Sequence, residues 1–478
     1  MKCLFLINNA PFFAEFFAKL AKEIVKTGDS CIVVWNSKIA EYDKKKLFPS
    51  ATKFISQVDW NLGNYQKDKK DFGDLSWKEM FSLFDRYKGL DFGYDNSAKI
   101  FSQTFQFFER VFKEEKPDVV ISEPPAGLFH QVAHYFCEKS NTPYFGLGDS
   151  RLNNRIDVYD LEFTNSKCEK AFREIKNSDV SKKEKEFSRN FIEKFVSHKE
   201  LPSYMALSKI YFSQFGLAKH FVVRIKKFGL LLLRCFFERK HSKGFDYETD
   251  FTLKYAIWAL WRSEWRKLRI LLQKNIYSNS VNGNNFFLYP LHFQPEASTN
   301  VYAMYYCDQL NTIKNIAFSL PFPYKLYVKE HPAAVGTKPK EFYRKLKEIP
   351  NIVLISPSEN VEMLIKDSSG VITLTSTIGM EAALSGKPVY VLGDVLYAYH
   401  PLCRKMKNFT DLKDKIRDDL INKPSIEDID NINSRFITSY LRNTIPGNMT
   451  TATVGKDINN YKLIWQSLGA LLKKLNYD

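Results

Sequence analysis

The sequence predicts an α/β protein with two Rossmann-like domains that face a cleft and a helical insertion between them. Strand and helix patterns alternate through residues 1–150 and again after Phe286. Such alternation is typical of parallel sheets covered by helices. Residues 155–280 break the alternation with long, charged, aromatic-rich helical patterns and no convincing strand. The length of 478 residues, 44% of them hydrophobic, is also enough for more than one core.

In the first half, short apolar runs predict buried strands, and amphipathic stretches between them predict helices. The predicted strands are Cys3–Ile7, Cys31–Trp35, Asp118–Ser122 and Pro143–Leu147. The predicted helices are Phe12–Lys26, which ends at Gly28, Ser97–Glu114 and Ala126–Lys139. Residues 60–100 have no clear periodicity, and we interpret them as an excursion that carries short helices.

In the second half, a strand that begins at Phe286 opens a similar series. The predicted strands that follow are 324–329, 352–355, 370–374 and 388–391, and the predicted helices are 299–319, 338–348, 360–366 and 377–385. A last amphipathic helix, Ile458–Leu475, is expected to pack back on the first domain. The predicted domains are therefore 1–155, a helical connecting region 156–280, 281–445, and the C-terminal helix region 446–478.

The formal net charge is +16, and part of it is concentrated in one apolar segment. Between Lys219 and Lys240, seven Lys or Arg side chains accompany a single acid, Glu238, among many aromatic and aliphatic residues. A helix of this composition can lie on an anionic membrane surface. A core helix with basic flanks remains the alternative. The sequence holds no recognisable nucleic-acid-binding motif, and no run of eighteen apolar residues that would span a bilayer.

The cysteines and the N-terminus indicate a cytoplasmic protein. Seven cysteines occur singly, without a Cys-x-x-Cys pair, which favours free thiols in a reducing compartment. The apolar run Cys3–Ile7 is stopped by Asn8 and Asn9, so it is too short for a signal peptide and is better interpreted as a first strand.

Polar motifs follow three predicted strands of the second half. They are Gln294-Pro295-Glu296, Lys329-Glu330-His331-Pro332, and Ser376-Thr377 with Glu381 one turn later. Because parallel strands end at the same edge of a sheet, these residues are expected to meet where open α/β folds bind ligands. The start of a helix at Ser376 favours an anion. Ordinary roles remain open for each motif, namely a turn at His331-Pro332, helix capping at Ser376, and a surface pair between Glu381 and Lys387.

The order of these three motifs resembles the capsular polysaccharide biosynthesis glycosyltransferases of the Kdo-transferase type, and more distantly the bacterial sialyltransferases. The resemblance covers residues 286–395 well and the first domain loosely. It implies a GT-B fold and a CMP-activated acidic sugar as donor. It implies that His331, Ser376 and Thr377 contact the CMP moiety. We predict Lys329, Glu330, Pro332 and Glu381 as further residues of the donor nucleotide site.

Glycosyl transfer needs a carboxylate that acts as base or nucleophile, and the first domain is expected to supply it. Asp149, in Gly148-Asp149-Ser150-Arg151, is the first candidate, although the related families place glycine after the acid. Glu123 is the second candidate, and Glu296 is a third. Alternatively, Glu123 stabilises a turn, and Asp149 caps a turn or pairs with Arg151. Gln294, Arg151 and Asn8 complete the prediction as substrate-binding residues.

Other chemistries are disfavoured. Asp428-Ile429-Asp430 matches the metal-binding motif of the other large glycosyltransferase fold but follows no apolar strand. Phosphate-binding glycine loops are missing from the sequence. His130 and His134 lie four residues apart without further ligands, which is typical of packing or surface histidines. We therefore predict no metal and no cofactor besides the nucleotide-sugar donor.

Taken together, the sequence predicts a glycosyltransferase of bacterial surface polysaccharide assembly. Its predicted donor is a CMP-linked ulosonic acid, its acceptor a glycan or lipid-linked glycan, and its location the inner face of the cytoplasmic membrane, without nucleic acid as partner. A UDP-sugar transferase or epimerase remains open, as does a non-catalytic polysaccharide-binding or export factor.

Overall fold

The computed structural model describes residues 1–8, 13–64, 71–81, 93–159, 166–197, 285–422, 429–449 and 459–475, with 229–230, 232–233, 236, 269 and 276–278. The chain divides into two compact units, which we call the first and second domains. The first comprises Met1–Asn165, Pro202–Trp261 and Asn443–Asp478, and the second comprises Ser166–Leu201 and Arg262–Arg442. Each contains a mainly or wholly parallel sheet with helices, so the predicted pair of Rossmann-like α/β domains is confirmed.

The described strands, in chain order, are β1 Lys2–Ile7, β2 Ser30–Trp35, β3 Lys53–Ser56, β4 Val119–Ser122, β5 Tyr144–Asp149, β6 Arg155–Tyr159, β7 Phe286–Pro290, β8 Lys325–Lys329, β9 Ile352–Ile355, β10 Gly370–Thr373, β11 Val389–Val391, β12 Cys403–Lys405 and β13 Ile445–Pro446. The described α-helices are α1 Phe13–Lys26, α2 Lys38–Lys44, α3 Gln57–Asn64, α4 Gly93–Glu115, α5 Leu128–Lys139, α6 Ser166–Glu174, α7 Lys182–Val196, α8 Ala297–Asn300, α9 Gln309–Ser319, α10 Lys340–Lys347, α11 Val361–Asp367, α12 Thr377–Leu384, α13 Phe409–Ile421, α14 Ile429–Arg442 and α15 Asn459–Leu475.

The first sheet has the order β13-β6-β5-β4-β1-β2-β3. Strands β1 to β5 are parallel, whereas β6 and β13 are antiparallel to their neighbours. The chain starts at β1 in the middle, runs outward to β3, and returns to the other side of β1 as β4. The order of strands therefore reverses between β1 and β4. Strand β6 contradicts the expectation of no strand beyond residue 155; its five residues include two charged ones and gave no apolar run.

The second sheet has the order β12-β11-β10-β7-β8-β9, and all its pairings are parallel. Here the chain starts at β7, runs outward to β9, and returns beside β7 as β10. The order of strands reverses between β7 and β10, where Leu288 is paired with Val371. This neighbourhood matters because ligands of open α/β sheets bind at such reversals.

Helix α15 belongs to the core of the first domain. Its Tyr461 ring lies 5.6 Å from that of Phe16, and Trp465 Nε1 donates to Thr27 Oγ1 at 3.1 Å. The turn before it needs glycine, because Gly447 has φ +148° and a Cβ there would lie 2.7 Å from Ile464. Gly447 thus packs closely between Ile464 of α15 and Ile156 of the first sheet.

Two helical predictions are corrected. The predicted helix 299–319 is interrupted, because Asp308 caps a new helix by accepting from the Asn311 N–H at 3.2 Å. Residues 166–197 of the predicted connecting region pack on α14 of the second domain, where Arg442 Nε donates to Glu184 Oε1 at 2.8 Å. Most of 198–280, including the predicted basic helix, lies outside the described residues. Among the helices that are described, none is long and apolar enough to cross a membrane.

Candidate functional site

Both sheets carry polar residues at their carboxyl edges, where the strand order reverses. In the second sheet, His292 follows β7, and Thr375 and Ser376 follow β10. In the first sheet, Asn8 follows β1 and Glu123 follows β4. Since crevices form at such points, these two places are the candidate sites of the chain.

The N-terminus of α12 is the part of the second sheet's carboxyl edge best suited to an anion. Ser376 is its N-cap, with an extended backbone, and Ser376 Oγ accepts from the Ile378 N–H at 3.3 Å. The preceding N–H, of Ser376 itself, donates to Thr373 Oγ1 at 3.0 Å. Thr377 is partly exposed. The N–H groups of Ser376, Ile378 and Gly379 already donate within the protein, so it is the two hydroxyls and the helix dipole that favour a phosphate or carboxylate here.

His292 is the most unusual residue at this edge. It is buried, and its Nε2 accepts from the Thr375 N–H at 3.1 Å, so the proton of the neutral ring lies on Nδ1. Burial lowers the pKa of His292 to about 3, which keeps the ring neutral. Within the described part of the chain, His292 Nδ1 has no hydrogen-bond partner. An unpaired buried donor costs about 1–3 kcal/mol, a cost that a bound acceptor removes.

Two further buried hydroxyls accompany His292. Thr375 Oγ1 and Tyr289 OH also lack a hydrogen-bond partner among the residues that the structure describes, and the Tyr289 ring lies 6.0 Å from the His292 ring. The methyl group of Thr375 packs at Gly393, where a Cβ would lie 2.7 Å from it. Glycine at 393 therefore lets Thr375 keep its place beside His292. Three residues at the junction of β7 and β10 thus each carry a buried polar atom without a hydrogen-bond partner in the described part of the chain.

The main chain at His292 is held by Gln309. Gln309 Oε1 accepts from the His292 N–H at 2.7 Å, and Gln309 Nε2 donates to the His292 carbonyl at 3.0 Å. Gln294, predicted to bind substrate, joins this framework, since its Oε1 accepts from Gln309 at 2.6 Å and its Nε2 donates to the Cys307 carbonyl at 2.7 Å. Gln294 therefore helps to hold the loop that carries His292.

Glu330 fixes the loop that carries His331. Its carboxylate is buried, and Oε1 accepts from the His331 N–H at 2.9 Å. Oε2 accepts from the hydroxyls of Tyr343, in a short contact, and Tyr277, at 3.4 Å. Lys338 Nζ lies 3.5 Å from Oε1. Four protein groups thus surround the Glu330 carboxylate, which points to a supporting role.

Lys329 and His331 flank this carboxylate. Lys329 is buried, donates to the Pro357 carbonyl at 2.9 Å, and has a pKa lowered by burial to about 8. His331 is partly buried, and burial lowers its pKa, so the ring is neutral at pH 7. Pro332 is exposed. Of the predicted Lys329-Glu330-His331-Pro332 motif, His331 is therefore the residue best placed to contact a ligand.

Glu296 and Glu381 have contrasting environments. Glu296 is exposed and accepts from Ser298 Oγ at 2.8 Å. Glu381 is buried on α12, and Lys387 donates to the Ser368 carbonyl at 2.9 Å. The alternative of a surface pair between Glu381 and Lys387 is therefore wrong.

Glu123 lies at the reversal point of the first sheet. Its Oε1 accepts from Asn8 Nδ2 in a short contact, and Tyr144 OH donates to the Glu123 carbonyl at 2.7 Å. The side chain is 12% exposed. The residues after β1 and β4 are thus joined through their side chains. A Glu123 that only stabilised its own turn would not need this contact with Asn8.

Asp149 ends β5, one strand further from the reversal point. It is partly buried, and burial raises its pKa, an effect opposed by the Met449 N–H and by Arg151. Arg151 Nη1 lies 3.7 Å from Asp157 Oδ2 and 3.5 Å from Tyr159 OH. Arg151 is therefore held mainly by the buried Asp157. Within the described ranges, no three His, Cys, Asp or Glu side chains are grouped to hold a metal; Asp428 lies outside those ranges.

Residues 235–420 match the model of a family described as capsule polysaccharide biosynthesis protein. A search among curated proteins found no match. Similar solved structures include a UDP-GlcNAc 2-epimerase from Methanocaldococcus jannaschii, 13% identical over 92% of this chain and 99% of that one, TM-score 0.26. Another is a beta Kdo 2,7 transferase from Thermosulfurimonas dismutans, 16% identical over 42% and 60%, TM-score 0.25.

The family match spans β7 to β12, which contain the site at His292, His331 and Ser376. The predicted resemblance to capsular polysaccharide biosynthesis proteins is thereby confirmed over residues 235–420, which match the model of that family.

Proposed function

We propose that the chain is a glycosyltransferase of capsule or related surface polysaccharide assembly, and that its donor is a CMP-linked ulosonic acid. The observation that carries the proposal is the junction of β7 and β10 in the second sheet. There His292 Nδ1–H and Thr375 Oγ1, which have no hydrogen-bond partner among the described residues, lie beside the N-terminus of α12. This set of donors suits the phosphate and sugar oxygens of a nucleotide sugar.

The charges of the site favour a donor with a single phosphate. His292 is neutral. Lys329 donates to the Pro357 carbonyl, and Lys338 pairs with Glu330, so neither lysine charge is directed at a ligand. A diphosphate would bring a second negative charge to an edge that offers mainly neutral N–H and O–H donors. This reasoning supports CMP over UDP.

Acceptor activation is assigned to the first domain, with Glu123 as the base. Glu123 takes a proton from the acceptor hydroxyl, whose oxygen attacks the anomeric carbon of the donor. The bond between that carbon and the phosphate oxygen breaks, and its electron pair stays on the phosphate. The α12 N-terminus with Ser376, together with His331, stabilises the charge that develops on the leaving CMP.

We further propose attachment to the inner face of the cytoplasmic membrane. The segment Lys219–Lys240 lies largely outside the described residues, but Leu230, Leu233 and Phe236 are described and are 54%, 70% and 72% exposed. Exposed apolar side chains among seven basic residues suit an anionic lipid surface. A lipid-linked acceptor would be presented there.

Calorimetry with CMP and UDP tests the donor assignment. The wild-type chain is expected to bind CMP more tightly than UDP, and His292→Phe, which keeps a ring but removes the N–H, is expected to lose at least tenfold in CMP affinity. Tighter binding of UDP would favour a UDP-sugar enzyme. A folded wild-type chain that binds neither nucleotide would favour the non-catalytic alternative. A transfer assay across a panel of nucleotide sugars then identifies the sugar.

A further inference from the structure

A buried histidine lies against the candidate base. His130 is in the first turn of α5, its side chain is 2% exposed, and its Nε2 lies 3.5 Å from Glu123 Oε1. The same oxygen accepts from Asn8 Nδ2. A carboxylate, an amide and an imidazole from three different elements therefore converge where β1 and β4 end. Sequence spacing grouped His130 with His134 instead, because both lie on one helix face.

We propose that His130 is a positioning residue that fixes the Glu123 carboxylate and keeps it ionised, so that Glu123 can act as the base at neutral pH. The proposal rests on the proposed function. An ionised carboxylate that is 12% exposed loses most of its hydration, which by itself raises a carboxyl pKa. A nearby N–H donor or imidazolium offsets that loss. Asn8 donates the hydrogen bond, and His130 contributes an electrostatic contact in which its Nε2 lies 3.5 Å from Oε1.

The surroundings of the pair are mostly apolar or neutral. Helix α4 faces α5 with phenylalanine rings, such as Phe108 at 5.0 Å from Phe129. From β5, Tyr144 OH donates to the Glu123 carbonyl, and its ring lies 5.3 Å from His134. The 3-10 helix Trp77–Met80 packs on α5 and carries Glu79, which accepts from the Ser76 N–H at 2.8 Å and contacts Lys78 at 3.5 Å. Tyr144, His134, Glu79 and Lys78 are thus the titratable groups that these contacts of the described residues place around the pair.

The first test does not depend on activity. Histidine-labelled full-length chain is titrated by NMR, and the His130 resonance is assigned with His130→Gln. Because an adjacent anion raises an imidazole pKa, Glu123→Gln is expected to lower the His130 pKa by about one unit or more. Asp149→Asn is the control and is expected to leave it unchanged. An unchanged His130 pKa in Glu123→Gln overturns the pairing, whatever the enzyme does.

The second test follows transfer against pH. His130→Phe removes the imidazole beside the carboxylate and is expected to move the acid limb of kcat/KM upward by about one pH unit, since a neighbouring donor or cation favours the ionised carboxylate. His130→Gln, which keeps an N–H donor, is expected to restore most of the wild-type profile.

His134→Phe is the matched control for that profile. His134 is buried one turn further along α5, so its replacement disturbs packing without touching the carboxylate. If His134→Phe shifts the acid limb as much as His130→Phe, or if neither shifts it, the positioning role is refuted. If the wild-type chain transfers no sugar while the NMR coupling is present, the proposed function fails and the pairing stands.

Discussion

Replacing Ser376 by alanine tests the site at the junction of β7 and β10. The change removes one hydroxyl from the start of α12 and leaves the helix N–H groups in place. Asn360 provides a matched control, because it is the N-cap of α11 at the same edge of the same sheet, after the edge strand β9. Its Oδ1 accepts from the Met363 N–H at 3.2 Å, much as Ser376 Oγ accepts from Ile378 at 3.3 Å.

The two alanine variants should differ in binding but not in stability. Both lose a long capping bond, so each is expected to lose about 0.5–1 kcal/mol of unfolding free energy. Ser376→Ala additionally loses a hydrogen bond to a charged phosphate, worth about 1.5–3 kcal/mol. This corresponds to a Kd for CMP that is about 10- to 150-fold weaker, since about 1.4 kcal/mol is tenfold. Asn360→Ala should bind CMP as the wild type does.

Isothermal calorimetry with CMP at pH 7.5 measures the affinities, and thermal unfolding confirms that both variants are folded. The reasoning is refuted if Ser376→Ala binds CMP with wild-type affinity. It is equally refuted if Asn360→Ala loses as much affinity as Ser376→Ala, because the loss would then come from destabilised helices and not from contact with the phosphate.

The remaining predictions concern four other places. His331→Ala should weaken CMP binding by about 1–3 kcal/mol without unfolding the chain, as measured by calorimetry. Glu123→Gln should reduce turnover by orders of magnitude at nearly unchanged donor affinity, whereas Asp149→Asn should retain more activity; the reverse order would return the role of base to Asp149. Burial lowers the pKa of His400 to about 4, below its unfolded value of 6.5. The stability that neutral His400 contributes is therefore complete above pH 6.5 and is lost as the pH falls to 4, by about 3 kcal/mol, and His400→Gln should flatten this dependence in urea unfolding. Glutamine in place of the basic residues of Lys219–Lys240 should abolish salt-sensitive flotation with anionic liposomes; equal binding to neutral liposomes would contradict the electrostatic model.

Most strands of the second half, and their ends, were readable from the sequence, because they are short apolar runs followed by polar residues. The sequence therefore placed His331 and Ser376 at one sheet edge. His292 also follows an apolar run, the one that begins at Phe286, but no feature of the sequence assigned it a role. Its importance depends on the pairing of β7 with β10, more than eighty residues later, and on the N–H of Thr375 that fixes its tautomer. Neither relation is visible in local sequence.

Residue type also proved a poor guide to where a charged side chain points. Lys329 and Glu330 lie in the expected motif, yet both are buried and held by protein groups. Burying them is tolerated because carbonyls, tyrosine hydroxyls and Lys338 replace the lost water. A sequence shows that such residues follow a strand, but only the packed neighbours show that they support the loop and leave ligand contact to His331.

The choice between Glu123 and Asp149 follows from the same distinction. Sequence favoured Asp149 because of its Gly148 and Arg151 neighbours, which are local features. In the fold, Arg151 lies against Asp157, and Asp149 ends β5, one strand away from the reversal of the sheet. Glu123 ends β4, beside β1, and is contacted by Asn8 across that reversal. Ligand crevices form where the connections of two neighbouring strands leave in opposite directions. Glu123 lies at such a point and Asp149 does not. The position of a carboxylate in the strand order, more than the residues beside it in sequence, therefore determines which acid is the better candidate for the base.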